Sequence, residues 1–419
     1  MSDYVRLQSP PDSVHYGSAG FFSSVINLAN TILGAGILSM PHAFTKTSLF
    51  FGCLTIFFSA FASFLGLYFV SLCAARLPRG KASFAAVAKH TFPSLAIVFD
   101  AAIAIKCFGV SISYLVIVGD LMPQIAPLLG FTAPIFESRE TWIFFSILIL
   151  TPLTFLRRLD SLRHTSLISL ISLSYLVIIV IYHFFRGDME RGEVRYFRPE
   201  SLSGYLSVLP VFVFGFTCHQ NAFSVINEVK IPSHRYINFT LFIAICSSTF
   251  LYLIVSIAGY LSFGSLTSGN IIAMYDDGSF LIAFGKLAIV MLVLFSYPLQ
   301  CHPCRNSLYQ AIRRSYSAHD MSNAYHIGLT ICILVTSLLI ALSLSSLELV
   351  LAFVGSTGST FISFILPGLL YYFFSHSVAS PDSTSEKELK ITRIIAVCLA
   401  IYGVFVMVLC LNINLAKLK

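Results

Sequence analysis

The chain has 419 residues, of which 57% are hydrophobic and only 11% charged, with a mean hydropathy of +0.84. Soluble domains carry about 25% charged residues, so a string of water-soluble domains is excluded and a polytopic α-helical membrane protein is implied. The net charge of +7 is therefore no nucleic-acid footprint; its meaning depends on which face of a membrane holds each basic residue.

Residues 1–19 are polar and proline-bearing and lack the basic start of a cleavable signal peptide. They contain Tyr4-Val5-Arg6-Leu7, a match to tyrosine-based endosomal and lysosomal sorting patterns. Eleven apolar stretches then follow in order: 20–43, 50–74, 97–120, 141–156, 166–185, 203–227, 239–263, 280–301, 325–345, 349–374 and 392–414. Each meets or nearly meets the length of about 20 residues that a helical crossing needs. The fourth is short and holds Pro152, while Pro123, Pro127 and Pro134 make 121–136 a connector at the interface. The runs are continuous, without the alternation of a β-barrel wall. Connections of at most about 20 residues are too short for an independent core, so the work is done between helices.

Lys and Arg in the connections set the orientation. With the N-terminus cytosolic, sixteen basic residues fall on the cytosolic side and eight on the other, where Asp188, Glu190, Glu193 and Glu200 offset four arginines. The N-terminus is then inside, and the C-terminus, after eleven crossings, is luminal or external. Lys106 and Lys286 fall within spans; with Asp120 and Glu348 they are read as interface anchors that snorkel or pair. Eight of the ten cysteines lie in apolar runs, and Cys301 and Cys304 form a lone C-x-x-C that reads as structural. Asn238-Phe239-Thr240 is a glycosylation sequon on the cytosolic edge, where it stays bare.

Two spans carry interruptions at corresponding places. Span one reads Asn30-Thr31-Ile32-Leu33-Gly34-Ala35-Gly36-Ile37-Leu38, with glycines near its middle, and span six reads Gly215-Phe216-Thr217-Cys218-His219-Gln220-Asn221 at mid-span. A small-x-small pair alone favours helix packing. Paired interruptions in two halves point instead to a transporter's binding site, and imidazole and amide groups at that depth face a cavity. A half-helix starting near Gly36 offers free N–H groups to a carboxylate. Carbonyls freed around Gly215 to Cys218 accept from an ammonium group, so an α-amino acid satisfies both ends.

With Tyr297-Pro298-Leu299-Gln300-Cys301-His302-Pro303-Cys304-Arg305 in span eight and Val354-Gly355-Ser356-Thr357-Gly358-Ser359-Thr360 in span ten, these stretches resemble the amino acid/auxin permease family of the amino acid–polyamine–cation superfamily. Within it the chain is most similar to fungal vacuolar amino acid transporters. The resemblance implies an all-α fold with a five-plus-five inverted repeat, broken helices one and six, and an eleventh helix. The divisions are a cytosolic tail 1–19, a first repeat 20–185, a luminal loop 186–202, a second repeat 203–374, a cytosolic loop 375–391 and a final helix with a short luminal tail, 392–419. It implies secondary active transport of amino acids in a vacuolar or lysosomal membrane by a monomer, with no cofactor, metal or nucleic acid. The substrate would meet Thr31, Gly34, Ala35, Gly36, Ile37, Gly215, Thr217 and Cys218, with Tyr114 of span three closing the site. Coupling would use protons at His219, whose unperturbed pKa of ~6.5 lies between cytosolic and vacuolar pH. Sodium at Asn30 and Ser296 is the alternative. His302 reads as a packing or capping residue.

Other functions fit less well. An embedded enzyme needs a catalytic constellation at one depth, and the eleven histidines are scattered. A channel needs filter loops or rings of charge, and a primary pump a P-loop; neither pattern is found. A nutrient sensor needs more cytosolic chain than 19 residues offer.

Overall fold

A computed structural model describes residues 19–91, 96–156, 165–231, 233–275, 280–313, 321–377 and 386–416. The sorting pattern at residues 4–7 lies outside them. The described chain is helical, apart from one isolated bridge between Ala19 and Val229. Eight helices are long and apolar enough to cross a membrane, and the pair Phe21–Ile32 and Gly36–Thr47, bent by 52°, makes a ninth. Of the two other expected spans, Arg139–Thr154 has 16 residues, and Thr165–Arg186 has 22, of which Ile171–Arg186 is an apolar helix. Among the described residues, nine of the eleven expected spans thus meet the length and hydropathy of a crossing.

Serines start many of these helices. Ser138, Ser201, Ser233, Ser322 and Ser346 each accept a hydrogen bond from the amide three residues on, satisfying one donor that a helix N-terminus leaves open. Span eight runs unbroken from Phe280 to Arg313 through Pro298 and Pro303, twelve residues past the apolar stretch. Span ten starts as α-helix at Leu347–Val354 and widens into π-helical turns at Gly355–Ser359 and Phe361–Ile365. Its glycines admit neighbours: a Cβ on Gly355 would lie 2.0 Å from the Pro210 carbonyl oxygen, and one on Gly358 would lie 2.8 Å from Lys106.

The outer faces carry exposed aromatics such as Phe57, Phe61, Phe144 and Phe250. This explains the excess of Phe, because a lipid-facing surface has no need of charge. The interior holds charges. Lys106 is only 3% exposed and Lys286 only 2%, so neither snorkels to an interface as expected. Lys286 Nζ donates to Gln124 Oε1 at 2.6 Å, and the buried Arg305 donates to the Thr154 carbonyl and the Thr330 hydroxyl, both at 2.9 Å. Protein partners supply what water would have supplied. Asp120 pairs with Arg139 at 3.5 Å.

Backbone ties fasten both ends of the interrupted helices. At one end Ala19 donates to the Glu228 carbonyl and Lys230 donates to Ala19, each at 3.0 Å. At the other end residues 192–200 form a strap. Leu49 and Phe50 donate to the carbonyls of Arg195 and Tyr196 at 2.9 Å, and Gly192 donates to Phe263. An ion pair between Lys46 and Glu200 at 2.7 Å adds to it.

Candidate functional site

Span one is interrupted at Leu33-Gly34-Ala35, where Leu33 leaves helical geometry at φ −79° and ψ 52°. Span six is interrupted at Phe216-Thr217-Cys218, between Leu202–Gly215 and His219–Glu228. Both lie inside the segments that the sequence marked. The two breaks cross in contact: a Cβ on Gly36 would sit 3.1 Å from Gly215 Cα, closer than ordinary van der Waals contact. Gly36 therefore serves the approach of one backbone to the other. Its side of the helix is not open space for a ligand, contrary to the sequence reading.

The hydrogen-bonding accounts of the breaks differ from those of a closed helix. The Phe214 carbonyl takes the Thr217 amide at 3.0 Å, the Val213 carbonyl takes the Thr217 hydroxyl at 2.7 Å, and the Phe216 carbonyl takes the Ser63 hydroxyl at 2.7 Å. The Tyr252 hydroxyl, from span seven, lies 2.6 Å from the Ile32 carbonyl oxygen and 2.8 Å from that of Gly215. Thus two of the carbonyls freed near Gly215, its own and that of Phe216, are occupied by hydroxyls of neighbouring helices. Among the described residues, the amides of Ala35 and Gly36 and the carbonyls of Leu33 and Thr217 have no protein partner. Buried backbone groups are nearly always paired, so these donors and acceptors are left for water or a ligand, as are the amides of Cys218 and His219 among the described residues. The donors at Ala35 and Gly36 stand at the start of a 12-residue helix, where an anion is favoured.

Tyr114 faces this point from span three. A Cβ on Gly34 would find only the Tyr114 hydroxyl, at 3.8 Å, so space remains on that side of span one. The Tyr114 hydroxyl lies beside Gln300 and Ser296 of span eight, which brings Ser296 towards the break. Thr31 and Asn221 join the two interrupted helices directly, at 3.1 Å. Asn30 and Gly34 are partly buried; Ala35, Ile37 and Cys218 are buried against the crossing.

His219 is turned elsewhere. It is 0% exposed, and its Nε2 lies 2.6 Å from where a Cβ on Gly66 would sit, beside the Ser363 carbonyl. Its ring thus points to spans two and ten, not to the Gly34–Tyr114 space, and among the described residues neither ring nitrogen makes a hydrogen bond of ordinary geometry. Ser363 in turn donates to the Thr217 hydroxyl at 3.1 Å. His302 sits one turn before Asn306 on the same helix. Tyr252, Ser63 and Gln300 were missed in the sequence. A tyrosine or serine in an apolar helix looks like any other until its partner is known.

The family model for transmembrane amino acid transporter proteins matches residues 17–412. The chain belongs to that family. Among its members, vacuolar amino acid transporter 5 of Schizosaccharomyces pombe is 75% identical over 419 residues, covering 100% of both chains. Vacuolar amino acid transporter 5 of Saccharomyces cerevisiae is 38% identical, covering 93% of this chain and 96% of the relative. In fold alone, the chain is also similar to a solved structure of Mhp1 in an inward-facing conformation, with a TM-score of 0.64 at 14% identity, over 96% of this chain and 92% of that one.

Proposed function

We propose that the chain is a secondary active transporter that moves α-amino acids across a vacuolar-type membrane by alternating access around the two breaks. The relatives named for vacuolar amino acid transport support the substrate class and the compartment. One observation carries the mechanism: unpartnered amides at Ala35 and Gly36 and unpartnered carbonyls at Leu33 and Thr217, one acceptor at each break. A zwitterion brings the complementary groups, a carboxylate for the helix start and an ammonium for the carbonyls. No charged side chain is needed to bind it. Tyr114 covers the site from the third span, beside Gln300 and Ser296.

Coupling is assigned to protons at His219. The residue follows directly on the break of span six, so a shift of that half-helix changes what its ring faces. The N-terminus is assigned to the cytosol and the chain acts as a monomer. A sodium-coupled carrier is the second reading, favoured by the hydroxyl of Ser296 beside Tyr114 and by Asn30 at the break of span one. Uptake of a panel of labelled amino acids into proteoliposomes, with proton and sodium gradients imposed separately, tests both. Uptake driven by a pH gradient without sodium is the expected result. Absence of amino acid uptake under either gradient would overturn the reading.

A further inference from the structure

Tyr252 lies in span seven, outside the two interrupted helices, yet its hydroxyl is in hydrogen-bond range of one carbonyl from each. Those carbonyls belong to Ile32 and Gly215, the last residues of the two half-helices. The first precedes the unpartnered Leu33 carbonyl by one peptide; the second precedes that of Thr217 by two. The ring is 0% exposed and packs edge-on against Phe216 at a centroid distance of 5.1 Å. The hydroxyl sits within contact of both glycines of the crossing, 3.4 Å from where a Cβ on Gly36 or on Gly215 would lie. One oxygen atom thus spans the crossing of the two breaks.

We infer that Tyr252 is a positioning residue for the substrate's amino group: by holding the peptides at Ile32 and Gly215 together, it aims the neighbouring Leu33 and Thr217 carbonyls at one ammonium. This rests on the site reading above. A phenolic hydroxyl carries one hydrogen and donates fully to one carbonyl at a time. Without it, the Gly215 carbonyl loses its donor and the Ile32 carbonyl keeps only the Gly34 amide of its own span at 2.9 Å, so nothing ties the two breaks at this point. The carboxylate end of the site, the helix start at Ala35 and Gly36, belongs to span one alone and does not depend on this contact.

That asymmetry supplies the test. For each amino acid that the intact carrier takes up, inhibition of uptake is measured with the amino acid itself and with the same acid lacking the amino group. Wild type is expected to prefer the amino acid by 100-fold or more. In Tyr252→Phe, which keeps the ring and its packing, that preference is expected to fall at least tenfold. The inhibition constant of the amino-less acid should move less than threefold. A merely structural role would weaken both ligands alike, or lower the maximal rate at unchanged affinity. Either outcome overturns the inference, as does an undiminished preference, or a variant too unstable to assay. Ser63→Ala, which uncaps the carbonyl of Phe216 at one break only, is the comparator. An equal loss of preference there would show that any uncapped carbonyl suffices, and would also overturn it. If wild type takes up no amino acid, the site reading itself has failed, and the two failures are distinguishable.

Discussion

The Asn221 side-chain amide donates to the Thr31 hydroxyl oxygen at 3.1 Å, while that hydroxyl donates its own hydrogen to the Asn27 carbonyl at 3.0 Å. The pair joins the first half of span one to the second half of span six with both polarities satisfied. Thr31→Val keeps the shape and removes both bonds. Loss of such a bond costs about 1 kcal/mol, roughly fivefold in an equilibrium constant. Thr31→Val and Asn221→Ala are each expected to raise the uptake KM by about that factor, and the double variant by no more than the larger single effect. Strictly multiplied effects in uptake kinetics would show that the two residues act independently.

The two glycines of span one are expected to separate. Gly36→Val pushes a branched side chain into Gly215 and the Tyr252 hydroxyl, and overpacking of this kind costs about 1–3 kcal/mol. It should abolish uptake and lower the melting temperature of the purified carrier. Gly34→Ala meets only the Tyr114 hydroxyl at 3.8 Å. It should melt like wild type and raise KM. Equal melting and equal uptake for the two variants would contradict the geometry of the crossing.

His219→Gln keeps hydrogen-bonding capacity and cannot titrate. Accumulation driven by a pH gradient should be lost, while exchange of labelled for unlabelled substrate at equal pH is retained. Both are read in the same proteoliposomes. Full pH-driven accumulation in this variant would remove His219 as the coupling site and leave Asn30 and Ser296 as the better candidates.

Topology is checked by labelling. Ser268→Cys, in the connection after span seven, and Lys387→Cys, at the start of the last helix, both replace exposed residues. An impermeant maleimide should reach the first only from the luminal or external face and the second only from the cytosol. Reaction of both from one face would mean that the crossings between them have the other parity.

The breaks were legible because backbone interruption leaves a compositional trace: Gly34 and Gly36 in one span, and a polar run around Thr217 in another. What those residues face was not. Gly36 reads equally well as an opening for a ligand and as a crossing of backbones, and only the position of Gly215 decides. Lys106 and Lys286 were read as interface anchors because their depth in a helix was known and their rotation about its axis was not. The partner of Lys286, Gln124, comes from a segment 162 positions away. The π-helical turns of span ten left no trace beyond Gly355 and Gly358. Pro210 and Lys106 approach those glycines closely, a contact that the local sequence does not announce.

The tie between Lys286 and Gln124 joins residues 162 positions apart, and this bears on how the protein is made. At a synthesis rate of about 5–20 residues per second, the partner of Gln124 arrives roughly 10 to 30 seconds later. Until then span three carries the ammonium of Lys106 and the amide of Gln124 through the membrane without its final neighbour, a condition that costs a few kcal/mol per charged group at mid-depth. The first half of the chain is thus an unfinished surface during translation, open to chaperones and to membrane quality control. Ribosome-bound chains halted before residue 280 should be degraded faster than chains halted beyond residue 313.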